Sequence, residues 1–279
     1  MSHPLLRSCW TVHGTQAGGH VAPIILVTVR PLQRGAGAPL LSLGALRRSV
    51  PVPLLAFTVL LLAYGNTVSA VSGDTSGEWA FIAASLALMA VALAWAHRRG
   101  LSWREVGLAD PAWPRHLLLG VAVGGLVILP VVAYFAAPVG VPGGEIGYAE
   151  AERATLGSLL LWALVRQPLG VSLFEETMFR GLMQALAVRA WGLWRGVGFV
   201  AAAFALWHLV VNYRTVQETN IAREPVLTAL AQVASLVGLA IGSLLLSYLR
   251  LRTGGLAAPI GFHWATVVAM QSALFALSR

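Results

Sequence analysis

Residues 158–181 read SLLLWALVRQPLGVSLFEETMFRG, an apolar run that closes on two adjacent carboxylates and an arginine, Glu175, Glu176 and Arg180. An ionisable side chain at the centre of a bilayer costs at least ~2.5–3.5 kcal/mol, so such groups face a protein interior, pair, or serve a function. Whether the run before them crosses a membrane therefore decides the fold. The rest of the chain answers: 57% of its 279 residues are hydrophobic, 11% are charged, and the mean hydropathy is +0.75. The apolar residues also fall into separate runs near the ~20 residues needed to cross ~30 Å of hydrocarbon. An ordinary soluble domain is excluded, and the chain reads as an all-α, polytopic transmembrane helical bundle.

Spans are expected at 51–71, 79–96, 117–137, 155–174, 196–212, 226–249 and 254–277, about seven in all. Arg47/Arg48, His97–Arg104 with Arg115, Arg189/Arg195 and Arg250/Arg252 fall on alternate connections, with Asp74/Glu78 and Glu145/Glu150/Glu152 on the others. Arginine-rich connections stay on the cytoplasmic side. This also accounts for the net charge of +8, which needs no nucleic-acid partner. Residues 1–50 carry scattered Gly, Pro and Arg and one apolar run too short to span, and are expected to form a poorly ordered extension without the features of a secretory signal. The single cysteine, Cys9, excludes an intramolecular disulfide framework and a cysteine-based zinc site.

Within the later spans the groups that lipid rejects are Arg166, the Glu175/Glu176/Arg180 cluster, His208 and His263. On a helix Glu176 and Arg180 are i,i+4 neighbours and can pair, while Glu175 is turned about 100° away and can face elsewhere. The expectation is that Glu176 and Arg180 hold the helix and Glu175 points into a polar cavity. The stretch FALWHLVVN sets Phe204 and His208 on one face with Asn212 a turn on, and GFHWATV sets Thr266 about a turn from His263. One carboxylate and two imidazoles from separate spans suffice for water-based chemistry. The carboxylate takes a proton from water, one imidazole orients that water, and the other donates to an oxyanion. The same three groups could instead hold a zinc ion that activates the water. A Glu pair beside an Arg is equally at home in an interface cluster, and a lone buried His is more often a hydrogen-bonded core residue. The combination in separate spans favours function. Arg166 is most simply a structural partner, and the Trp and Met residues are read as packing.

Taken in order, E-E-x-x-x-R at 175–180, F-x-x-x-H at 204–208 and an intramembrane His in the last span resemble the CAAX prenyl protease and bacteriocin-processing (CPBP, Abi) family of intramembrane endopeptidases. The resemblance covers roughly residues 80–275 and implies that 51–279 form one transmembrane protease domain. It further implies peptide-bond hydrolysis in the membrane, with Glu175 as general base, His208 as its partner and His263 at the oxyanion. Glu176, Arg180, Asn212 and Thr266 would support them. Members are described both as metalloproteases and as glutamic endopeptidases. The absence of an H-E-x-x-H helix favours a mechanism with no metal, and no other cofactor is implied. The partners implied are the lipid bilayer and a membrane-embedded or lipidated peptide or protein, in an integral membrane protein expected in a bacterial plasma membrane.

Two features depart from that pattern. Where family members carry Asn four residues after the last His, this chain has Val267, so Asn212 or Thr266 would have to replace an oxyanion donor. The linear map also sets Glu175 at the cytoplasmic end of a span closing at 174 and His208 past the midplane, a mismatch removed if Pro168 and Gly170 break the span. Two other functions remain in view. A catalytically weak or inactive binding or immunity-type protein of the same fold would explain Val267. A proton-relaying transporter would explain buried Glu and His, although no inverted repeat supports it.

Overall fold

A computed structural model describes residues 51–71, 78–138 and 146–279, so the expected extension over 1–50 lies outside the described residues. Among the described residues there is no strand, and helices follow one another: α1 Pro51–Val71, α2 Glu78–Arg98, the short α3 Trp103–Val106, α4 Trp113–Ala136 and the short α5 Ala149–Arg153. Then come α6 Leu156–Trp191, α7 Leu193–Trp207, α8 Leu209–Gln217, a 3₁₀ turn Asn220–Arg223, α9 Pro225–Thr253 and α10 Ala257–Leu277. Six of these helices are long and apolar enough to cross a membrane, and α7 with α8, bent by 41°, form either a broken seventh span or a re-entrant pair. The chain is an all-α polytopic bundle. Its outer helices present Leu118, Leu126, Val233 and Ile241 outward, as surfaces facing lipid do.

The expected boundaries hold except at two places, and both carry site residues. The fourth span neither ends at 174 nor breaks at Pro168: α6 runs unbroken for 36 residues and Glu175 lies in its middle. Proline removes one helical donor and clashes with the preceding turn. Here the ladder widens instead, and Trp162–Ser172 is π-helical, with Leu173 N–H bonding the Pro168 carbonyl five residues back. A second π-helical stretch covers Thr177–Met183. The fifth span, in contrast, is not one straight helix but bends at His208, between α7 and α8.

The core gathers on α6, where every residue from Phe174 to Gln184 is buried. Met178, Phe179, Leu182 and Met183 pack there against α1, α2 and α7. On the other side α4 and α10 approach backbone to backbone through Gly120, Gly124 and Gly261. A Cβ at Gly120 would overlap the Ala258 carbonyl, one at Gly124 would sit 2.6 Å from the Phe262 carbonyl, and one at Gly261 would overlap the Leu117 carbonyl. This is the small-residue contact by which membrane helices gain packing without a hydrophobic driving force. It seats the turn of α10 that carries His263.

The connections collect at the two ends as their charges require. At one end Arg189 pairs with Glu105, Arg250 donates to the Glu105 carbonyl at 2.8 Å, and Leu256 N–H bonds the Gly107 carbonyl at 3.0 Å. The Arg-rich linkers after α2, α6 and α9 thus form one layer. At the other, Tyr148 bridges to Thr219, Arg153 pairs with Glu218 at 2.9 Å, and Arg279 reaches the Ala154 carbonyl. Tyr148 there has its phenol pushed above the usual range, by burial first and by its hydrogen bond to Glu150 second.

Candidate active site

Glu175 and Glu176 occupy one α-helical turn, Leu173–Glu176, between the two π-helical stretches of α6. π-helical insertions cost hydrogen-bond geometry and recur at functional sites. The two carboxylates diverge. Glu176 Oε1 accepts from Arg180 at 3.1 Å and from His263 Nδ1 at 2.8 Å, with both glutamate and arginine side chains fully buried. The Arg180 guanidinium also lies 4.0 Å from the centroid of the Phe204 ring. Glu175 faces α7 instead. Its Oε1 accepts from the indole N–H of Trp207 at 3.0 Å, and its Oε2 is buried with no hydrogen-bond partner. Around that oxygen stand His208 Nε2 at 3.6 Å and His263 Nε2 at 4.0 Å.

The bend at His208 serves this geometry. His208 Nδ1 lies 2.8 Å from the Phe204 carbonyl one turn back, which directs Nε2 toward Glu175. A carbonyl only accepts, so Nδ1 carries the proton, and neutral His208 presents a lone pair at Nε2. His263 differs in its second partner. Its Nδ1 faces the Glu176 carboxylate, which Arg180 shares, and a carboxylate also only accepts. His208 Nε2 can thus accept a hydrogen bond, and His263 Nε2 can donate one when both nitrogens of its ring carry protons.

Residues 157–269 match the family model described as Type II CAAX prenyl endopeptidase Rce1-like. Over these residues the chain is similar to that family. No curated protein and no solved structure gives a match to the chain. The matched segment runs from α6 into α10 and contains Glu175, His208 and His263. The matched family is one of CAAX-type endopeptidases, and the apolar helices make the chain an integral membrane protein.

The other residues singled out in this segment lie elsewhere. Asn212 sits beyond the bend and donates to Gln232 of α9 at 2.9 Å, while Gln232 donates to the Leu209 carbonyl at 3.0 Å. Thr266 turns its hydroxyl back onto the carbonyls of Phe262 and His263, 3.0 Å from each. Arg166 places its guanidinium 5.3 Å from the centroid of the Phe81 ring. A groove of about 380 Å³ lies between α8 and α9, along Tyr213, Pro225, Thr228 and Gln232, and its lining has no carboxylate or imidazole. As for zinc, no group of three His, Cys, Asp or Glu side chains among the described residues has the spacing to hold a metal ion. Trp207, a packing residue by sequence, is in the structure the hydrogen-bond partner of Glu175. Its one sequence signal is its place beside His208 in the F-x-x-x-H stretch.

Proposed function

We propose that the protein is an intramembrane endopeptidase that hydrolyses a peptide bond of a membrane-associated or prenylated protein, with Glu175 as general base. The observation that carries this reading is the buried, unbonded Oε2 of Glu175 facing the Nε2 atoms of two histidines. Oε2 of Glu176 is also buried and unbonded, so what sets Glu175 apart is the pair of imidazole nitrogens that face its free oxygen.

In the proposed reaction a water donates one hydrogen bond to Glu175 Oε2 and the other to His208 Nε2. As its oxygen attacks the scissile carbonyl, the proton passes to Oε2. The negative oxygen of the tetrahedral intermediate accepts from His263 Nε2, while Nδ1 of the same ring is held by Glu176, a carboxylate shared with Arg180. Collapse breaks the C–N bond, and the proton held on Glu175 goes to the leaving amine. Water and peptide thereby become a carboxylic acid and an amine, with Glu175 and both histidines restored.

Val267 supports a second reading, a weakly active or inactive binding protein of the same fold, since neither Asn212 nor Thr266 is turned toward Glu175. The deciding experiment is cleavage of a prenylated peptide, and of a membrane-embedded reporter, by the purified protein in lipid. Wild type should cleave one of them, and Glu175→Gln, His208→Ala and His263→Ala should not, at unchanged helix content. Cleavage by Glu175→Gln at the wild-type rate would remove Glu175 from the mechanism. A wild type that binds these peptides and leaves them intact would favour the second reading.

A further inference from the structure

We propose that Trp207 is a positioning residue for the general base, its indole N–H holding Glu175 Oε1 so that Oε2 alone is presented to the two imidazoles. The inference rests on Glu175 being the base. The two oxygens of a free glutamate are equivalent, and the terminal torsion that exchanges them is broad and two-fold. In this site they are not equivalent: Oε1 accepts from Trp207 at 3.0 Å, and Oε2 has no hydrogen bond and lies 3.6 and 4.0 Å from His208 and His263.

The indole is itself fixed. Its ring lies 6.0 Å from Phe174, 5.7 Å edge-on to Phe179 and 6.3 Å from Tyr64. On its α1 side Gly65 makes the room, because a Cβ there would overlap the six-membered ring of the indole. Trp207 is also the last residue of α7 before the bend, so the same turn of chain that sends His208 toward Oε2 sends the indole N–H toward Oε1.

The chemistry suits an indole better than other donors. Indole N–H donates and does not accept, so it cannot compete with Glu175 for the proton of water. It is neutral, so it lacks the added pull of a charged donor that would hold the carboxylate ionised. When Oε2 takes the proton, Oε1 becomes the carbonyl oxygen and still accepts, so the hydrogen bond lasts through both halves of the reaction. A histidine at 207 would add a second base, and an arginine a second charge.

The test compares wild type, Glu175→Gln, Trp207→Phe and a protein carrying benzothienylalanine at 207 by nonsense suppression, which keeps both rings and lacks only the N–H. Each is purified in lipid and assayed on the substrate that wild type cleaves. Loss of orientation at a reacting group costs on the order of 10- to 100-fold, so both donor-less proteins should lose that much in kcat with KM unchanged. Wild-type kcat in the benzothienylalanine protein overturns the proposal, even if Trp207→Phe fails to fold. A change confined to KM overturns it as well. Loss of cleavage in Glu175→Gln together with full activity in the isostere leaves the base in place and removes only the role of Trp207. Cleavage by Glu175→Gln overturns the base assignment and the role of Trp207 with it.

Discussion

Glu176 and His263 are joined by a hydrogen bond of 2.8 Å across 87 positions of the chain, and the glutamate oxygen that makes it is the one that also accepts from Arg180. The pair expected to do no more than hold α6 in place is therefore connected to an imidazole of the candidate site. Removing one member of a buried ion pair costs about 3–5 kcal/mol, because the other charge stays buried. Arg180→Ala and Glu176→Gln should both lower the thermal unfolding midpoint in detergent. They should part in kinetics, since only Glu176→Gln removes the carboxylate that holds His263 Nδ1. We expect the larger fall in kcat for Glu176→Gln, and equal falls would show that both act through stability alone.

The contact between α4 and α10 predicts a contrast among neighbouring glycines. Gly120→Ala sets a methyl against the Ala258 carbonyl, whereas a Cβ at Gly125 meets nothing within 4 Å. Overpacking of a close contact costs about 1–3 kcal/mol. Alanine in a helix interior otherwise gains up to ~1 kcal/mol over glycine. Gly120→Ala should therefore lower the unfolding midpoint and cleavage together, because α10 carries His263, while Gly125→Ala should leave both at or above wild type. Similar behaviour of the two variants would mean that α4 and α10 are not in backbone contact.

At the Arg-rich end Glu105 gives a pH dependence. Its carboxyl is held below the ordinary value chiefly by the Ser102 backbone N–H at 2.8 Å, partly opposed by burial, and then by the Ser102 hydroxyl and Arg189. An unfolded glutamate titrates near about 4.3, so the stabilisation is complete above that pH and disappears as pH falls through the lower folded-state value. Glu105→Gln should be less stable than wild type at neutral pH, and the difference should close in acid. Unfolding midpoints of both proteins across that range are the check, and a gap independent of pH would show that the charge of Glu105 contributes nothing.

The span pattern and the Arg-rich linkers were legible because lipid imposes them residue by residue: runs of apolar side chains of fixed length, with arginine gathered in the linkers between them. The order Glu175, His208, His263 was legible as motif, and the i,i+4 relation of Glu176 to Arg180 followed from helix geometry. What failed was depth. A boundary drawn where charge begins ends the fourth span at 174, but α6 stays buried through Gln184 because Arg180 and Glu176 neutralise each other inside protein. Hydropathy scores each residue against lipid and has no means of seeing a partner. The roles of Trp207 and Gly65 were hidden for a related reason. Each is ordinary in its own helix and acquires meaning only where α1, α6 and α7 meet.

Val267 is the remaining departure from the family pattern. It stands one turn beyond His263 on α10, on the same helical face, and the two polar residues nearest in sequence to replacing an Asn there are engaged elsewhere, Asn212 with Gln232 and Thr266 with its own helix. If the oxyanion has His263 as its only side-chain donor, wild type should be slow and Val267→Asn should accelerate it. Deleting an oxyanion donor costs about 10²–10³ in kcat, so adding one in an unselected setting should gain at most ~10². Asparagine is close to valine in size, and an amide at 267 that found no partner would lower stability by ~1–3 kcal/mol. The two effects separate cleanly: kcat on a membrane-embedded reporter reads the donor, and the unfolding midpoint reads the unpaired amide. Asn212→Ala supplies the control, because it breaks the link to α9 and should leave kcat unchanged if Asn212 is no donor. A rise in kcat for Val267→Asn with a neutral Asn212→Ala is the expected result. Loss of activity in Asn212→Ala, with Val267→Asn only destabilised, would instead make Asn212 the substitute donor after a movement of α8.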